Sequence, residues 1–258
     1  MSLHVQQFGS GAELVLLHGW GLHGEVFKEL GWQLANDHRL TLIDLPGHGR
    51  SPANRASQDL TAIAEEVMAS APERAAWLGW SLGGLIATEA ALRAPTRVRA
   101  LIWVASSPCF VRRDDWPSAM DPAVLAAFAD ALHQDYRGTL ERFMALQVVP
   151  GTAGRETLRR LRKLLLSSPA PAPQALDDGL AILRATDLRP RLADLRVPML
   201  AILGQADRLV PPEVGAALRA LRSDIDVQVV PGAGHAPFFS HADAFAATLS
   251  RFLERHHE

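Results

Sequence analysis

The chain has 258 residues, of which 48% are hydrophobic and 21% are charged, and its formal net charge is −2. This composition is typical of a core-forming globular protein and argues against disorder, and the small net charge predicts neither nucleic acid nor membrane as a partner. The length favours a single domain with an insertion. There is one cysteine, Cys109, no run near the roughly 18 apolar residues of a membrane span and no signal-peptide pattern. We therefore expect a cytoplasmic protein.

Short hydrophobic runs alternate with longer amphipathic stretches in the first part of the chain. Runs of four or five residues without period-two alternation predict buried strands at residues 14–17, 40–43, 75–78 and 100–104. Amphipathic stretches predict helices at residues 24–34, 61–71 and 82–94. Repeated alternation of strand and helix predicts an α/β fold with a mostly parallel central sheet.

This alternation is interrupted between about residues 108 and 185, where helical patterns are separated by prolines and no strand is predicted. Strand patterns return at residues 198–203 and 226–230, and helices are predicted at 213–221 and 243–253. We therefore expect residues 1–107 and 186–258 to form an α/β core, and residues 108–185 to form a helical cap inserted in it.

The segment Gly79-Trp80-Ser81-Leu82-Gly83 lies between a predicted strand and a predicted helix. The pattern G-x-S-x-G in that context is typical of a nucleophile elbow, a sharp turn that exposes a serine. Glycines on both sides remove Cβ atoms that would collide in the turn, and the following helix N-terminus favours developing negative charge. A simple tight turn would explain the glycines equally well, so the assignment of Ser81 as nucleophile requires a base and an acid.

Two later loops supply a candidate base and acid. His235 lies in the glycine-rich segment GAGHAP directly after a predicted strand, and Asp207 lies in the loop GQADRLVP after the preceding one. A histidine can accept the serine proton, and a carboxylate can fix its tautomer and stabilise the imidazolium. The chain order Ser81, Asp207, His235 is the order expected for this type of fold, with all three at the carboxyl ends of strands.

The loop His18-Gly19-Trp20-Gly21 follows the first predicted strand. A tetrahedral oxyanion requires two donors, for which we predict the backbone amides of Leu82 and Trp20, with the Trp20 indole lining the pocket. A generic glycine turn with a core tryptophan remains an alternative for this loop. We expect His18 to brace the loop by a hydrogen bond. The histidines and acids show no metal-ligand spacing, and the chemistry needs no cofactor.

The ordered motifs HGWG, DLPGHGRS, GWSLGG and GAGHAPF resemble the α/β-hydrolase superfamily over nearly the whole chain. Longer stretches, including LLHGWGLHGEVF, WLGWSLGG and GAGHAPFFSH, resemble the pimeloyl-acyl-carrier-protein methyl ester carboxylesterases of biotin synthesis. This resemblance implies hydrolysis of a pimeloyl methyl ester carried on acyl carrier protein, with Ser81, Asp207 and His235 as the triad. It also implies that Trp20 and Leu82 lie at the oxyanion site and substrate mouth.

The same resemblance implies that the cap contributes one wall of the pocket, formed by Phe143, Met144, Ala145, Leu146 and Gln147. The cap is also basic, because residues 137–163 contain seven basic residues against two acids. The spacing of these basic residues, taken alone, is compatible with an ordinary solvated helix face. The resemblance implies an acidic carrier protein as partner, and we therefore predict a carrier dock at Arg137, Arg142, Arg155 and Arg159. We expect the protein to be a monomer.

Two other functions are compatible with these motifs. A broad-specificity short-chain carboxylesterase or a C–C bond hydrolase would use the same triad. A catalytically idle binding protein of the hydrolase fold would use the basic cap as its only working surface. Comparing substrates distinguishes the first two activities from the esterase that the resemblance implies. Reaction of Ser81 with a fluorophosphonate distinguishes an active enzyme from an idle binding protein.

Overall fold

The computed structural model describes residues 2–53 and 58–256, and its centre is a seven-stranded sheet. The strand order is β1-β3-β2-β4-β5-β6-β7. β1 is antiparallel to β3, and the other neighbouring strands are parallel. The strands are β1 Val5–Gly9, β2 Ala12–Leu17, β3 His38–Ile43, β4 Ala75–Trp80, β5 Val98–Val104, β6 Met199–Gly204 and β7 Asp226–Val230.

Helices cover both faces of the sheet and its carboxyl edge. The α-helices of the core are α1 Lys28–Leu34, α2 Leu60–Ser70, α3 Leu82–Arg93, α8 Val214–Leu221, α9 Pro237–Ser240 and α10 Ala242–Arg255. Those between β5 and β6 are α4 Pro122–Gln134, α5 Tyr136–Leu146, α6 Thr152–Leu166 and α7 Pro173–Ala185. Short 3-10 helices occupy Gly24–Phe27 and Arg189–Asp194. None of the described helices is long and apolar enough to cross a membrane.

The hydrophobic runs of the central strands are buried along their whole length because both faces of the sheet are covered. Trp77 and Trp80 on β4 belong to two different core clusters, one on each face of the sheet. Every residue of β4 and β6 is buried. This is why these strands show continuous hydrophobicity in sequence instead of alternation.

The predicted α/β fold with a mostly parallel sheet is confirmed, and each predicted strand is present within two residues of its expected bounds. The first strand, β1, was not predicted. Its sequence VQQFG is polar and only partly buried, because it forms the antiparallel edge of the sheet. The helix predicted at 24–34 consists of a 3-10 turn over Gly24–Phe27 followed by α1.

The inserted helices are fastened to loops at the carboxyl edge of the sheet. The carbonyl oxygen of Gln147, just after α5, accepts from the backbone N–H of His235 at 2.9 Å. In α6 the Leu164 carbonyl oxygen lies 2.9 Å from Nε2 of His23, and in α7 the Leu176 carbonyl oxygen accepts from the Trp20 indole at 2.8 Å. These contacts hold α5, α6 and α7 over the loops that follow β2 and β7.

The division into a core of residues 1–107 and 186–258 and a cap of residues 108–185 stays a prediction. Residues 1, 54–57, 257 and 258, which belong to the predicted core, lie outside the described residues. Within residues 108–121, just after β5, the chain forms two isolated bridges, Val111 with Met120 and Arg113 with Trp116.

Candidate active site

Ser81 occupies a strained turn between β4 and α3. Its φ of 53° and ψ of −118° are sparsely populated for a residue with a side chain. A Cβ at Gly79 would overlap the Gly83 carbonyl oxygen, and a Cβ at Gly83 would overlap the Leu17 carbonyl oxygen. The turn is anchored by a 2.9 Å hydrogen bond from the Ser81 amide to the Val104 carbonyl. Both glycines are therefore needed for the close packing of the turn, which holds a serine at the start of a helix.

His235 and Asp207 form a buried pair. Nδ1 of His235 lies 2.8 Å from Oδ2 of Asp207, and Oδ1 of Asp207 accepts from the amides of Leu209 at 2.8 Å and Val210 at 3.1 Å. Because Nδ1 faces a carboxylate, Nδ1 carries a proton, and Nε2 is the ring nitrogen that points away from Asp207. That Nε2 atom is buried and has no hydrogen-bond partner among the described residues. The pair has the geometry of an oriented general base.

The three predicted triad residues follow strands β4, β6 and β7 at the same edge of the sheet. Trp80, which immediately precedes Ser81, donates from Nε1 to the His235 carbonyl oxygen at 2.8 Å. The structure thus brings the serine turn and the histidine loop together through one side chain. Ser81 is 3% exposed and His235 is 1% exposed, so both are buried. Their roles as nucleophile and base stay predictions.

The loop predicted to supply the second oxyanion donor runs against the serine turn. An ideal Cβ at Gly19 would lie 3.3 Å from Cβ of Ser81. The indole of the next residue, Trp20, is buried and packs edge-on against Phe143, with ring centroids 4.9 Å apart. Side chains of Trp20 and Leu82 both approach Gly179 on α7, at 2.6 and 3.2 Å from its ideal Cβ. Trp20 and Leu82 therefore meet α7 near Ser81, and their amide roles stay predictions.

The five residues predicted as a pocket wall do not share one environment. Phe143, Met144 and Gln147 are buried, whereas Ala145 is exposed and Leu146 is half-buried. Ala145 and Leu146 line an outer apolar groove between α4 and α5. Successive residues of a helix are rotated by about 100°, so five in a row cannot face one pocket. The structure thus places Phe143 against Trp20 and turns Ala145 outward.

Gln147 has an unusual environment for a buried amide. Neither Oε1 nor Nε2 of its side chain has a hydrogen-bond partner among the described residues, although both atoms are buried. Unpaired buried amide atoms are costly, so they are typical of groups that bind a ligand or a water molecule. The predicted place of Gln147 in the substrate pocket stays a prediction.

The four arginines predicted as a carrier dock are all exposed, with Arg137 and Arg142 on α5 and Arg155 and Arg159 on α6. Some of this positive charge is compensated locally. Arg159 makes two hydrogen bonds to Glu156, at 2.9 and 2.7 Å, and Arg142 lies 3.9 Å from Asp135. The structure therefore groups the arginines on the neighbouring helices α5 and α6, and the dock stays a prediction.

A buried network around His18 supports the Trp20 loop. Nδ1 of His18 donates to the Gly19 carbonyl oxygen at 2.8 Å, and Nε2 accepts from the Leu45 amide at 2.9 Å, which confirms the predicted bracing. Asp44 accepts from the Gly24 amide at 2.7 Å and the Arg50 amide at 2.9 Å. Asp44 thus ties two loops together. No role was predicted for it from sequence, although it lies in the motif DLPGHGRS.

Burial lowers the pKa of His18 well below its usual range, and nearby His48 lowers that pKa further, against the opposing effect of the hydrogen bond to Gly19. Burial also lowers the pKa of His48. The two rings lie 5.3 Å apart. Burial therefore favours the neutral form of both imidazoles. Among the described residues, no group of three or more His, Cys, Asp or Glu side chains is placed to hold a metal ion.

The sheet is mostly parallel and covered on both faces, and its carboxyl edge carries a serine elbow and a His–Asp pair. These features are typical of the α/β-hydrolase fold. The model of the alpha/beta hydrolase family matches residues 14–248. The chain belongs to the alpha/beta hydrolase family, as its motifs predicted.

Curated relatives cover almost the full length. The pimeloyl-[acyl-carrier protein] methyl ester esterase of Edwardsiella ictaluri is 47% identical over 94% of this chain and 93% of its own. Its namesake in Pectobacterium carotovorum is 46% identical over 98% of this chain and 99% of its own. Among solved structures, an esterase from Exiguobacterium antarcticum superposes with a TM-score of 0.88 at 25% identity, covering 98% of this chain and 95% of its own. The predicted resemblance to this group of esterases is confirmed.

The neutral state of His18 predicts a loss of stability in acid. Histidines of the unfolded chain take up a proton below a pH of about 6.5, whereas buried His18 resists protonation until the pH falls well below that value. The unfolded state therefore binds more protons in this window, and the free energy of unfolding falls as pH is lowered through it, by up to about 1.4 kcal/mol per pH unit for one residue.

We expect a His18→Gln variant to lose less of its free energy of unfolding than the wild type between pH 7 and pH 5, even though it starts less stable. Urea denaturation at several pH values measures how the free energy of unfolding of each protein changes with pH. The same change in both proteins would contradict the conclusion that protonation of His18 destabilises the fold.

Proposed function

We propose that this carboxylic ester hydrolase cleaves the methyl ester of pimeloyl-acyl carrier protein and releases methanol, in the synthesis of biotin. The observation that carries the proposal is the buried His235–Asp207 pair, whose Nε2 atom has no partner among the described residues, joined through Trp80 to the Ser81 elbow. The choice of substrate is supported by relatives of that name that are 46–47% identical over almost the whole chain.

Acylation begins when Oγ of Ser81 attacks the ester carbonyl carbon and Nε2 of His235 accepts its proton. The carboxylate of Asp207 stabilises the imidazolium through the 2.8 Å contact at Nδ1. The backbone amides of Leu82 and Trp20 donate to the oxyanion, each contributing about 3 kcal/mol to transition-state stabilisation. The tetrahedral intermediate then collapses, the C–O bond to the methoxy group breaks, and methanol leaves with the proton from His235.

Deacylation repeats these steps with water. Nε2 of His235 removes a proton from a water molecule that attacks the acyl-enzyme carbonyl. The bond to Oγ of Ser81 then breaks, Oγ takes the proton back, and the pimeloyl carboxyl group is released. No metal or other cofactor takes part in these steps.

The inserted helices, proposed as a cap of residues 108–185 on a core of residues 1–107 and 186–258, enclose this chemistry. Phe143 packs on Trp20, and Leu82 lies beside Trp20 against α7, so apolar side chains lie where the inserted helices meet the Trp20 loop and the start of α3. Such a surface suits the aliphatic chain of a pimeloyl group. The amide of Gln147, which has no hydrogen-bond partner among the described residues, is proposed to supply a polar contact to the substrate.

The exposed arginines of α5 and α6 are proposed to attract the acidic carrier protein. Their side chains project from the cap, and the exposed fraction of Arg159 is 71% and of Arg142 is 57%. Partial pairing with Glu156 and Asp135 leaves them available to exchange partners, because exposed ion pairs are worth little in water. The proposed enzyme acts as a cytoplasmic monomer on this one macromolecular partner, without nucleic acid or membrane.

We expect a Ser81→Ala variant to lose nearly all esterase activity, because the proposed nucleophile is removed. The loss should be about 10⁴-fold or more, as in other enzymes that lose a member of the triad. The variant should also fail to restore growth of a biotin auxotroph that lacks this esterase. A matched Ser70→Ala variant, at the end of α2, should behave as the wild type. Full activity in the Ser81 variant would contradict the proposal.

Comparison of kcat/KM for the carrier-bound pimeloyl methyl ester, p-nitrophenyl acetate and a vinylogous diketone separates the alternatives. A strong preference for the carrier-bound ester supports the proposed function. Equal use of the small ester indicates a broad esterase, and preference for the diketone indicates a C–C bond hydrolase. A wild-type protein that fails to react with a fluorophosphonate at Ser81 would indicate an idle binding protein.

Charge reversal tests the carrier dock. We expect replacement of Arg142, Arg155 and Arg159 by Glu to reduce kcat/KM for the carrier-bound ester by about 10-fold or more at low salt, because steering by opposite charge is lost. Hydrolysis of p-nitrophenyl butyrate reports whether the catalytic groups are intact.

The control carries the same change of charge on other surfaces, at Arg39, Arg74 and Arg251, which are exposed and lie outside the cap. It should retain the wild-type kcat/KM for the carrier-bound ester. Equal effects in both triple variants, or none in either, would contradict a dock on α5 and α6.

A further inference from the structure

Three of the four polar atoms of His235 are held by hydrogen bonds from three parts of the fold. Its amide N–H donates to the Gln147 carbonyl oxygen at 2.9 Å, and its carbonyl oxygen accepts from Nε1 of Trp80 at 2.8 Å. Its Nδ1 atom pairs with Asp207 at 2.8 Å. Nε2, the atom that exchanges the proton, is the one left without a partner among the described residues. The backbone of His235 is therefore held between the cap and the core.

The indole of Trp80 is firmly packed where it makes this contact. It is buried at the end of β4, and its ring meets Phe238 edge-on at 5.2 Å between centroids. An ideal Cβ at Gly19 would lie 3.2 Å from Cε3 of Trp80. The indole thus lies between the loop that carries Trp20 and the loop that carries His235, and it cannot shift without displacing one of them.

The contact from the cap depends on a close approach of two backbones. Gln147 follows the last turn of α5, and its carbonyl oxygen would lie 2.5 Å from an ideal Cβ at Gly234. Any side chain at position 234 would push this carbonyl away from the adjacent His235 amide. The glycine before the histidine therefore allows the cap to reach the catalytic loop.

We propose that Trp80 and the main chain of Gln147 are positioning groups that clamp the backbone of His235, so that the core and the cap together set the direction of Nε2. The inference rests on the proposed role of His235 as base. With both ends of the His235 peptide fixed and Nδ1 bound to Asp207, the imidazole is held in one orientation, and proton transfer from Ser81 requires a fixed base. Displacement of the end of α5 would release one side of the clamp, which makes the cap a part of the catalytic apparatus as well as a cover.

The substitution Trp80→Phe removes the indole N–H and keeps an aromatic ring. We expect kcat for p-nitrophenyl butyrate to fall by about 10-fold to 100-fold with little change in KM, because a misplaced catalytic group slows the chemical step and leaves binding intact. We also expect the low-field proton resonance of His235 Nδ1–H to broaden or shift, because the contact with Asp207 loosens.

Trp77→Phe is the matched control. Trp77 is also buried on β4, but it lies on the other face of the sheet, and its indole nitrogen has no partner among the described residues. This variant should retain the wild-type kcat and the low-field resonance, even where thermal unfolding shows an equal loss of stability. If Trp80→Phe also retains both, the clamp is overturned.

The variant Gly234→Ala tests the cap side of the clamp separately. The added methyl group displaces the Gln147 carbonyl, and we expect the same pattern: lower kcat, similar KM and an altered Nδ1–H resonance. An unchanged kcat in a folded Gly234→Ala protein would show that the contact from Gln147 does not position His235. Failure of the proposed function is distinguishable, because a wild-type protein without fluorophosphonate reaction at Ser81 contradicts the triad itself, whatever the variants show.

Discussion

The sharp turn at Ser81 is the constraint on which the rest of this structure depends. Between β4 and α3 the chain reverses so tightly that a Cβ at Gly79 would overlap the Gly83 carbonyl, and one at Gly83 would overlap the carbonyl of Leu17 on β2. A non-glycine residue with φ of 53° costs on the order of 1–3 kcal/mol, so the surrounding sheet must hold it in place. The parallel strands on both sides provide that support and bring the Asp207 and His235 loops to the same edge.

The inserted helices complete the site through backbone contacts as well as side chains. The carbonyl groups of Gln147, Leu164 and Leu176 each lie in hydrogen-bond contact with a residue at the carboxyl edge of the sheet. α5, α6 and α7 are thereby joined to the histidine loop and to the loop that carries Trp20. The groups proposed to position His235 therefore include the end of α5.

Sequence patterns were sufficient for the features that have a local cause. Continuous hydrophobic runs predicted the buried parallel strands, and glycines at fixed positions predicted the elbow at Ser81. β1 escaped prediction because its residues are paired at an edge of the sheet, where burial is incomplete. The network of His18, His48 and Asp44 could be predicted only in part, since its partners are far apart in sequence. The outward direction of Ala145 follows from the helical geometry of α5, which the motif FMALQ does not reveal.

Ser81 is proposed to form an acyl-enzyme intermediate. Rapid acid quenching after mixing with excess p-nitrophenyl butyrate, followed by peptide mass spectrometry, detects that intermediate. The proposed mechanism predicts a butyryl adduct on the peptide that contains Ser81, formed in a burst before steady-state turnover. Turnover without any adduct, or with the adduct on another residue, would contradict it.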